Sequence, residues 1–311
     1  MIRLYNSLRF GLLCCALATV LCACSSDEPN SPAIPKPQQE DPNTKTRTRV
    51  NIVSRAASNS DTDGVLQAGL YMVNYVEGRP DELLSVNNYV DNQLLTWRDG
   101  AWLTTNPIYW YDMDTKADFY AYAPYQVGVA DVRQMPFSIK ADQRSEEAFA
   151  MSDLLWGCVE GQSPTASSFD LTLAHRLAQM TIRVTADAGF EAGELRPDDV
   201  SVAIGGSRTD ANVDLKNGQV TAVDGSVKDV VCHSNGDLSY TAILIPQQVP
   251  FSNLIQVNWN GNRYNLQNSF LLEHARQYTL TVKLKKTKSG FDIGIEGWDI
   301  IPEDFGGVIG G

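Results

Sequence analysis

The sequence has 311 residues, of which 43% are hydrophobic and 9% aromatic, enough for one large core or two ordinary ones. Its 37 acidic and 25 basic residues give a formal net charge of -12 at pH 7. Because so acidic a chain repels phosphate backbones, this composition speaks against a nucleic-acid partner.

The N-terminus has the pattern of a lipoprotein signal peptide. Arg3 and Arg9 precede an apolar run from Phe10 to Ala23, which is shorter than the about 20 residues that span a bilayer. Leu21 and the small residue before Cys24 resemble the lipobox of bacterial lipoproteins, in which the cysteine is acylated. We therefore predict a signal peptide over 1–23, a lipid on Cys24 and anchoring in the outer membrane. An ordinary signal peptide cut at a small residue is the alternative.

A polar segment follows the signal peptide. Residues 24–48 contain five prolines among polar side chains and cannot offset their ordering entropy by burial, so we predict a disordered tether. The run Val50–Val53 favours a short β-strand and is flanked by Arg47, Arg49 and Arg55. These arginines are candidate sites for a trypsin-like protease on flexible chain. The alternative is that they simply flank a first strand.

Signals of β-strands dominate the chain from Leu70 onward. In residues 70–75, all but Asn74 are apolar or aromatic, which predicts a strand buried on both faces, and residues 278–285 alternate between apolar and polar side chains. Asp99-Gly100 and the Asn-Gly pairs that begin at positions 217, 235 and 260 are typical of two-residue hairpin turns. Only residues 145–155 leave room for a short helix.

These signals predict an all-β chain with two antiparallel β-sandwich domains, at residues 49–188 and 189–299. The tail 300–311 follows an apparently complete sandwich and carries apolar residues without a clear internal partner: Ile300, Ile301, Phe305, Val308 and Ile309. Such a segment can add to a sheet of a neighbouring molecule. An unstructured end is the alternative, because its four glycines raise the cost of ordering.

Residues that could carry chemistry are few. Asn59–Gly64 copies the first half of a calcium loop, but Leu70 stands where a bidentate glutamate is needed. His175 shares a strand face with leucines and is predicted to be a core residue, while Cys158 and Cys232 are predicted to be two unpaired thiols rather than a disulfide. No nucleophile elbow, phosphate loop or metal spacing is present, so the sequence predicts a non-enzyme without cofactor or metal. Four tryptophans lie in strand patterns and are expected in the core: Trp97, Trp102, Trp110 and Trp156.

Four short motifs lie in or beside the predicted strands: Asp118–Pro124, Asp153–Trp156, Phe169–Val184 and Gly297–Asp299. Together they resemble the Mfa-like fimbrillin family, the lipoprotein subunits of type V pili. None of the motifs is catalytic. Physically they are core strands, and a change of phase near Ala178 predicts a bulge or bend.

The resemblance implies a mechanism as well as a fold of two transthyretin-like sandwiches. A protease would cut after an arginine, a first strand that includes Val50–Val53 would leave, and the exposed groove would accept a strand from the next subunit. Arg49 is our choice among the arginines because it directly precedes this run, and residues 300–309 are the candidate donor. A head-to-tail contact of this kind does not close and propagates into a filament.

The implied partners are other fimbrial subunits, identical or paralogous, and the outer membrane through the lipid on Cys24. A surface ligand on a host or another bacterium is a further partner that adhesion would require. Two alternatives remain open at this point. One is an anchor, accessory or tip lipoprotein of the pilus, and the other is a monomeric surface lipoprotein that binds a glycan or a host protein.

Overall fold

The structure is a computed structural model that describes residues 47–53, 67–76, 82–98, 101–225, 227–287, 290–295 and 303–304. The described residues all belong to one compact unit. Several predicted features lie outside these residues: the signal peptide, Cys24, the tether up to residue 46, Arg55 and the calcium-like loop 59–64.

Ten strands and a helix lie between residues 52 and 186: β1 Ile52–Val53, β2 Gln67–Asn74, β3 Val90–Arg98, β4 Ala101–Thr104, β5 Ala117–Ala123, β6 Met135–Ser138, α1 Glu146–Ser152, β7 Leu155–Gln162, β8 Phe169–Asp170, β9 Ala174–His175 and β10 Ala178–Ala186. The helix lies where the sequence allows one. It begins at Ser145, whose hydroxyl accepts a hydrogen bond from the Ala148 amide at 3.1 Å.

The later part of the chain begins with a 3₁₀ turn at Pro197–Asp199 and continues with eleven strands: β11 Val200–Arg208, β12 Asp210–Asp214, β13 Gln219–Ala222, β14 Val227–Val231, β15 His233–Gly236, β16 Ser239–Leu244, β17 Gln247–Trp259, β18 Asn262–Leu272, β19 Arg276–Thr287, β20 Gly290–Ile295 and β21 Glu303–Asp304. The chain is therefore all-β in class, as predicted.

A six-stranded antiparallel sheet organises the N-terminal half, in the order β4-β3-β2-β5-β7-β9. Its central strands are buried on both faces, and all seven residues of β5 are buried. Leu70 and Phe119 face one apolar cluster, whereas Tyr71 and Tyr120 face another. This confirms the prediction of a strand covered on both sides for residues 70–74, while Tyr75 lies just beyond β2 and is half-buried.

A β-sandwich forms the C-terminal half. One sheet has the order β15-β16-β10-β19-β20 with β21 added to β19, and the other has the order β14-β11-β17-β18. Alternating side chains of both sheets share one apolar cluster, including Ile182 and Leu280 from the first sheet and Val202 and Val257 from the second.

Strand pairing crosses the predicted boundary near residue 188. β6 pairs with β12, and β10 pairs with both β16 and β19. The β10–β19 ladder is parallel and runs from Gln179 to Ala186. The division into domains 49–188 and 189–299 stays a prediction.

Turn positions were predicted with mixed success. Asn260 and Gly261 have φ values of 47° and 77° and join β17 to β18 in a tight hairpin, as predicted. The prediction for Asn235-Gly236 was wrong by two residues, because the turn is made by Asp237 and Leu238, with φ values of 48° and 60°. β16 begins at Ser239, which pairs with Arg183 of β10 and with Gly236 of β15, so residues 237 and 238 are left for the turn.

The Asn217-Gly218 pair also differs from the prediction. Four residues, 215–218, connect β12 to β13, so the connection is longer than a two-residue turn. Leu215, the first residue of this loop, is 1% exposed. Gly218 still has the positive φ, 69°, that the pair predicts.

The predicted continuous strand over Phe169–Val184 is divided into β8, β9 and β10. Leu171 and Leu173 pack in the apolar cluster of the N-terminal half, whereas Met180 and Ile182 pack in the cluster shared with the C-terminal half. The change of phase near Ala178 therefore marks the point where the chain passes from one core to the other.

Candidate functional site

The site is built around the first described segment of the chain, residues 48–53, which we call the N-terminal strand. It lies between two segments that are distant in sequence, 108–110 and 169–171. Those two segments, with the apolar side chains between them, are called the N-terminal groove below.

Backbone hydrogen bonds fix the N-terminal strand on both of its edges. On the antiparallel edge, the Val50 amide donates to the Ile108 carbonyl at 2.8 Å, and the Trp110 amide donates to the Thr48 carbonyl at 3.0 Å. On the parallel edge, the Phe169 amide donates to the Asn51 carbonyl and the Leu171 amide to the Val53 carbonyl, both at 3.1 Å. These four bonds set one register, and each contributes about 1 kcal/mol net.

Side chains of the N-terminal strand alternate between the core and solvent. Val50 is 7% exposed and belongs to the apolar cluster of the N-terminal half, and half-buried Ile52 packs against the same cluster. Arg49 and Asn51 are exposed. Because the strand buries two apolar side chains two positions apart, its register determines which residues face inward.

Aromatic side chains form much of the cluster on which the strand packs. Ring centroids of Phe119 and Phe169 are 4.7 Å apart, and that of Trp110 lies 5.6 Å from Phe119. The Trp110 indole N–H donates to the Thr165 carbonyl at 3.0 Å, which holds this ring in place. Trp102 and Trp110 are buried as predicted, while Trp97 is half-buried and packs edge-on against Trp102.

A glycine brings one wall of the groove close to the sheet. A Cβ atom at Gly157 of β7 would collide with the carbonyl oxygen of Thr172. Only glycine permits this approach of two backbones. Thr172 directly follows the 169–171 wall, so Gly157 positions that wall.

The candidate processing residues differ in how they relate to the groove. Arg47 and Arg49 are exposed, but the Arg49 backbone is paired with Tyr109 in an antiparallel bridge. Both residues precede Val50, so a cut after either leaves residues 50–53 joined to the remaining chain. Arg55 follows the strand and lies outside the described residues.

Comparisons with known proteins agree with this architecture. A fimbrillin-like family model matches residues 54–298. The chain belongs to the fimbrillin-like family. The match begins directly after the N-terminal strand and continues through the C-terminal sandwich. A comparison with the curated proteins finds no match.

Solved structures share the fold of this fimbrillin-like chain. A candidate cell adhesion protein from Bacteroides uniformis is 20% identical, with a TM-score of 0.60, over 80% of this chain and 96% of its own. A second candidate cell adhesion protein, from Bacteroides ovatus, is 17% identical, with a TM-score of 0.64, over 84% of this chain and 100% of its own. A third candidate cell adhesion protein, from Bacteroides fragilis, is 13% identical, with a TM-score of 0.50, over 81% of this chain and 97% of its own. At these identities the likeness establishes the fold.

The C-terminal tail of the fimbrillin-like chain is described at two residues. Glu303 and Asp304 form β21, which pairs antiparallel with Gln277 and Arg276 at the start of β19. The predicted donor residues lie outside the described residues: Ile300, Ile301, Phe305, Val308 and Ile309. Their role in donation stays a prediction.

Sequence reasoning missed a contact that holds the two halves of the fimbrillin-like chain together. The Trp156 indole N–H donates to the Leu215 carbonyl at 2.8 Å, and the Arg176 guanidinium lies 4.4 Å above the Trp156 ring. Arg176 also donates to the Asn217 carbonyl at 3.0 Å. The glycine at 218 was a usable signal, because a side chain there would meet both Arg176 and Trp156.

The two cysteines in the described residues are not activated as nucleophiles. Cys158 and Cys232 are free, and burial raises the pKa of both thiols, which disfavours the nucleophilic thiolate. His175, at the end of β9, holds Asp153 through its Nδ1 atom at 2.8 Å. In the described ranges, no group of three or more His, Cys, Asp or Glu side chains is arranged to hold a metal ion. Nor does this part of the chain contain a helix long and apolar enough to cross a membrane.

Proposed function

We propose that this fimbrillin-like protein is a non-enzymatic structural subunit of a cell-surface fimbria, supporting adhesion. In this proposal the N-terminal strand occupies the groove only until assembly, and a strand from another subunit then replaces it. The observation that carries the proposal is the placement of residues 48–53 as an inserted strand between 108–110 and 169–171. The family match and the adhesion names of the structural relatives support the fimbrial role.

The N-terminal strand is suited to removal by a single cut. It is the first described element, and a segment outside the described residues, 54–66, separates it from β2. It is held by the four backbone bonds and by the two inward side chains, each worth about 1.5–3 kcal/mol when fully buried. Once it leaves, those backbone groups and the apolar floor need a new partner.

In place of Arg49, which was our choice from the sequence, we propose Arg55 as the site of the releasing cut. A cut after Arg47 or Arg49 would leave residues 50–53 in the groove and attached to the rest of the chain. Cleavage also requires an extended, unpaired substrate, whereas the Arg49 backbone is paired with Tyr109. Arg55 is the first arginine beyond the strand.

The replacing strand comes from the C-terminal tail of a neighbouring subunit. In this chain, Ile300 to Ile309 would serve the next subunit in the same way, after β21 detaches from β19. The contact is head-to-tail, so it propagates rather than closes. Before assembly, the lipid on Cys24 would hold the subunit at the outer membrane, with the folded part at the cell surface.

Processing variants test this proposal. We would express Arg55→Gln, with Arg49→Gln and Arg47→Gln as matched controls, and analyse surface-sheared protein by intact mass and non-boiled electrophoresis. We expect Arg55→Gln to keep its N-terminal strand and give no ladder of oligomers, whereas both controls assemble like the unchanged chain. Normal ladders from Arg55→Gln, with subunits that still contain residues 48–53, would overturn the proposal.

A further inference from the structure

The N-terminal groove selects its occupant by two inward positions. In the N-terminal strand these are Val50, 7% exposed in the apolar cluster, and Ile52, half-buried against it. They are two residues apart, as one face of a strand requires. Asn51 between them is exposed, and its side-chain amide donates to the Ala166 carbonyl at 3.4 Å.

Residues 300–311 do not reproduce this pattern. Their large apolar residues are Ile300, Ile301, Phe305, Val308 and Ile309, and no two of these are two positions apart. Any register within this segment that places one of them in the Val50 or Ile52 position puts glycine, proline or a charged residue in the other. The nearby pair Trp298 and Ile300 has the right spacing, but it begins only three residues after β20, and an indole exceeds the valine or isoleucine that it would replace.

We infer that the N-terminal groove receives its strand from a different, paralogous subunit and not from the 300–311 segment of a second copy. The incoming strand carries two apolar residues of valine or isoleucine size, two positions apart with a polar residue between them, like Val50-Asn51-Ile52. This inference rests on the proposed function, because it specifies the partner of the same groove. The 300–311 segment of this chain would then insert into the groove of another subunit, one that accepts a glycine-rich strand.

Peptide exchange into the open groove tests the inference. The full chain without its signal peptide, with Arg47→Lys and Arg49→Lys, would be nicked after Arg55 by an arginine-specific protease and checked by intact mass. A fluorescent peptide of residues 47–55 would then be exchanged into the nicked protein. Competitors would be unlabelled 47–55, the natural 300–311 peptide, and the same 300–311 peptide with Gly307→Val. Positions 305, 307 and 309 share one face of a strand, and with this change all three carry a large apolar side chain.

The expected order of affinity follows from the inward side chains. The 300–311 peptide should compete roughly 10- to 100-fold more weakly than 47–55, because one inward side chain is missing. The Gly307→Val change should restore at least about tenfold of that loss, since it supplies the missing side chain. Nicked protein alone should form no ladder of oligomers.

The outcomes separate the inference from the proposed function. Failure of the 47–55 peptide itself to enter the nicked protein would overturn the exchangeable groove, and the inference with it. Entry of 47–55 together with equally tight binding of natural 300–311, or a ladder from the nicked chain alone, would leave the groove standing and overturn the choice of a paralogous partner.

Discussion

Shortening Val50 to alanine should loosen the N-terminal strand without loosening the rest of the fold. The side chain is 7% exposed, and the change removes two methyl groups, worth about 1.6 kcal/mol at about 0.8 kcal/mol each. The cavity left behind raises the loss to about 2–3 kcal/mol. Because each 1.4 kcal/mol is a factor of about ten, detachment of the strand should become roughly 25- to 150-fold more frequent.

Hydrogen exchange measures this detachment at specific amides. The amide of residue 50 donates to Ile108, and the Trp110 amide donates to Thr48, so both become exposed when the strand leaves. In Val50→Ala both should exchange faster by the stated factor, while an amide in β10 keeps its rate. The control is Asn51→Ala, which changes an exposed side chain in the same strand and should leave all three rates within about twofold. Equal protection of residue 50 and Trp110 in Val50→Ala and the unchanged chain would refute the account of how the strand is held.

Three further changes test the framework around the groove, each by urea unfolding. Gly157→Ala should lower the free energy of unfolding by about 3 kcal/mol, because the added Cβ meets the Thr172 carbonyl. The control is Gly225→Ala, where the added Cβ has no atom within 4 Å and the free energy of unfolding should change by less than about 0.5 kcal/mol. Trp156→Phe should cost about 1–3 kcal/mol by leaving the Leu215 carbonyl without its donor, and an unchanged stability would contradict that role. Burial raises the pKa of Tyr122 to about 12, above the usual 10.0. The stabilisation that the buried neutral phenol contributes to the fold is therefore complete below pH 10 and is lost as pH rises toward 12. Tyr122→Phe should therefore flatten the fall in stability above pH 10, and an equally steep fall would show that this phenol is not responsible.

Much of the strand content could be predicted from local pattern. The alternation through β19, the doubly buried β2 and the hairpin at Asn260-Gly261 follow from short-range preferences that the fold does not override. The turn at Asp237-Leu238 was misplaced because the long-range pairing of β16 with β10 brings Ser239 into the strand and leaves residues 237 and 238 for the turn. The local preference of Asn235-Gly236 for a turn was a weaker influence than that pairing.

The groove itself could be predicted only in part. The run Val50–Val53 was recognised as a strand between arginines, but its walls were not. β1 pairs in parallel with β8, more than 100 residues away, as the partners Ile52 and Phe169 show. Nothing in a local window specifies which distant segments will flank a short strand, because that choice depends on the closure of the whole sheet. The role of Gly157 could be seen only once Thr172 was placed beside it.

The most direct test of the central claim is the intact mass of the subunit recovered from assembled fimbriae. The account predicts a polypeptide that begins at residue 56 and lacks residues 48–53, with the N-terminal groove filled by a strand of another subunit. Assembled subunits that still carry residues 48–53 would contradict it, because the groove cannot hold its own strand and a partner's strand at the same time.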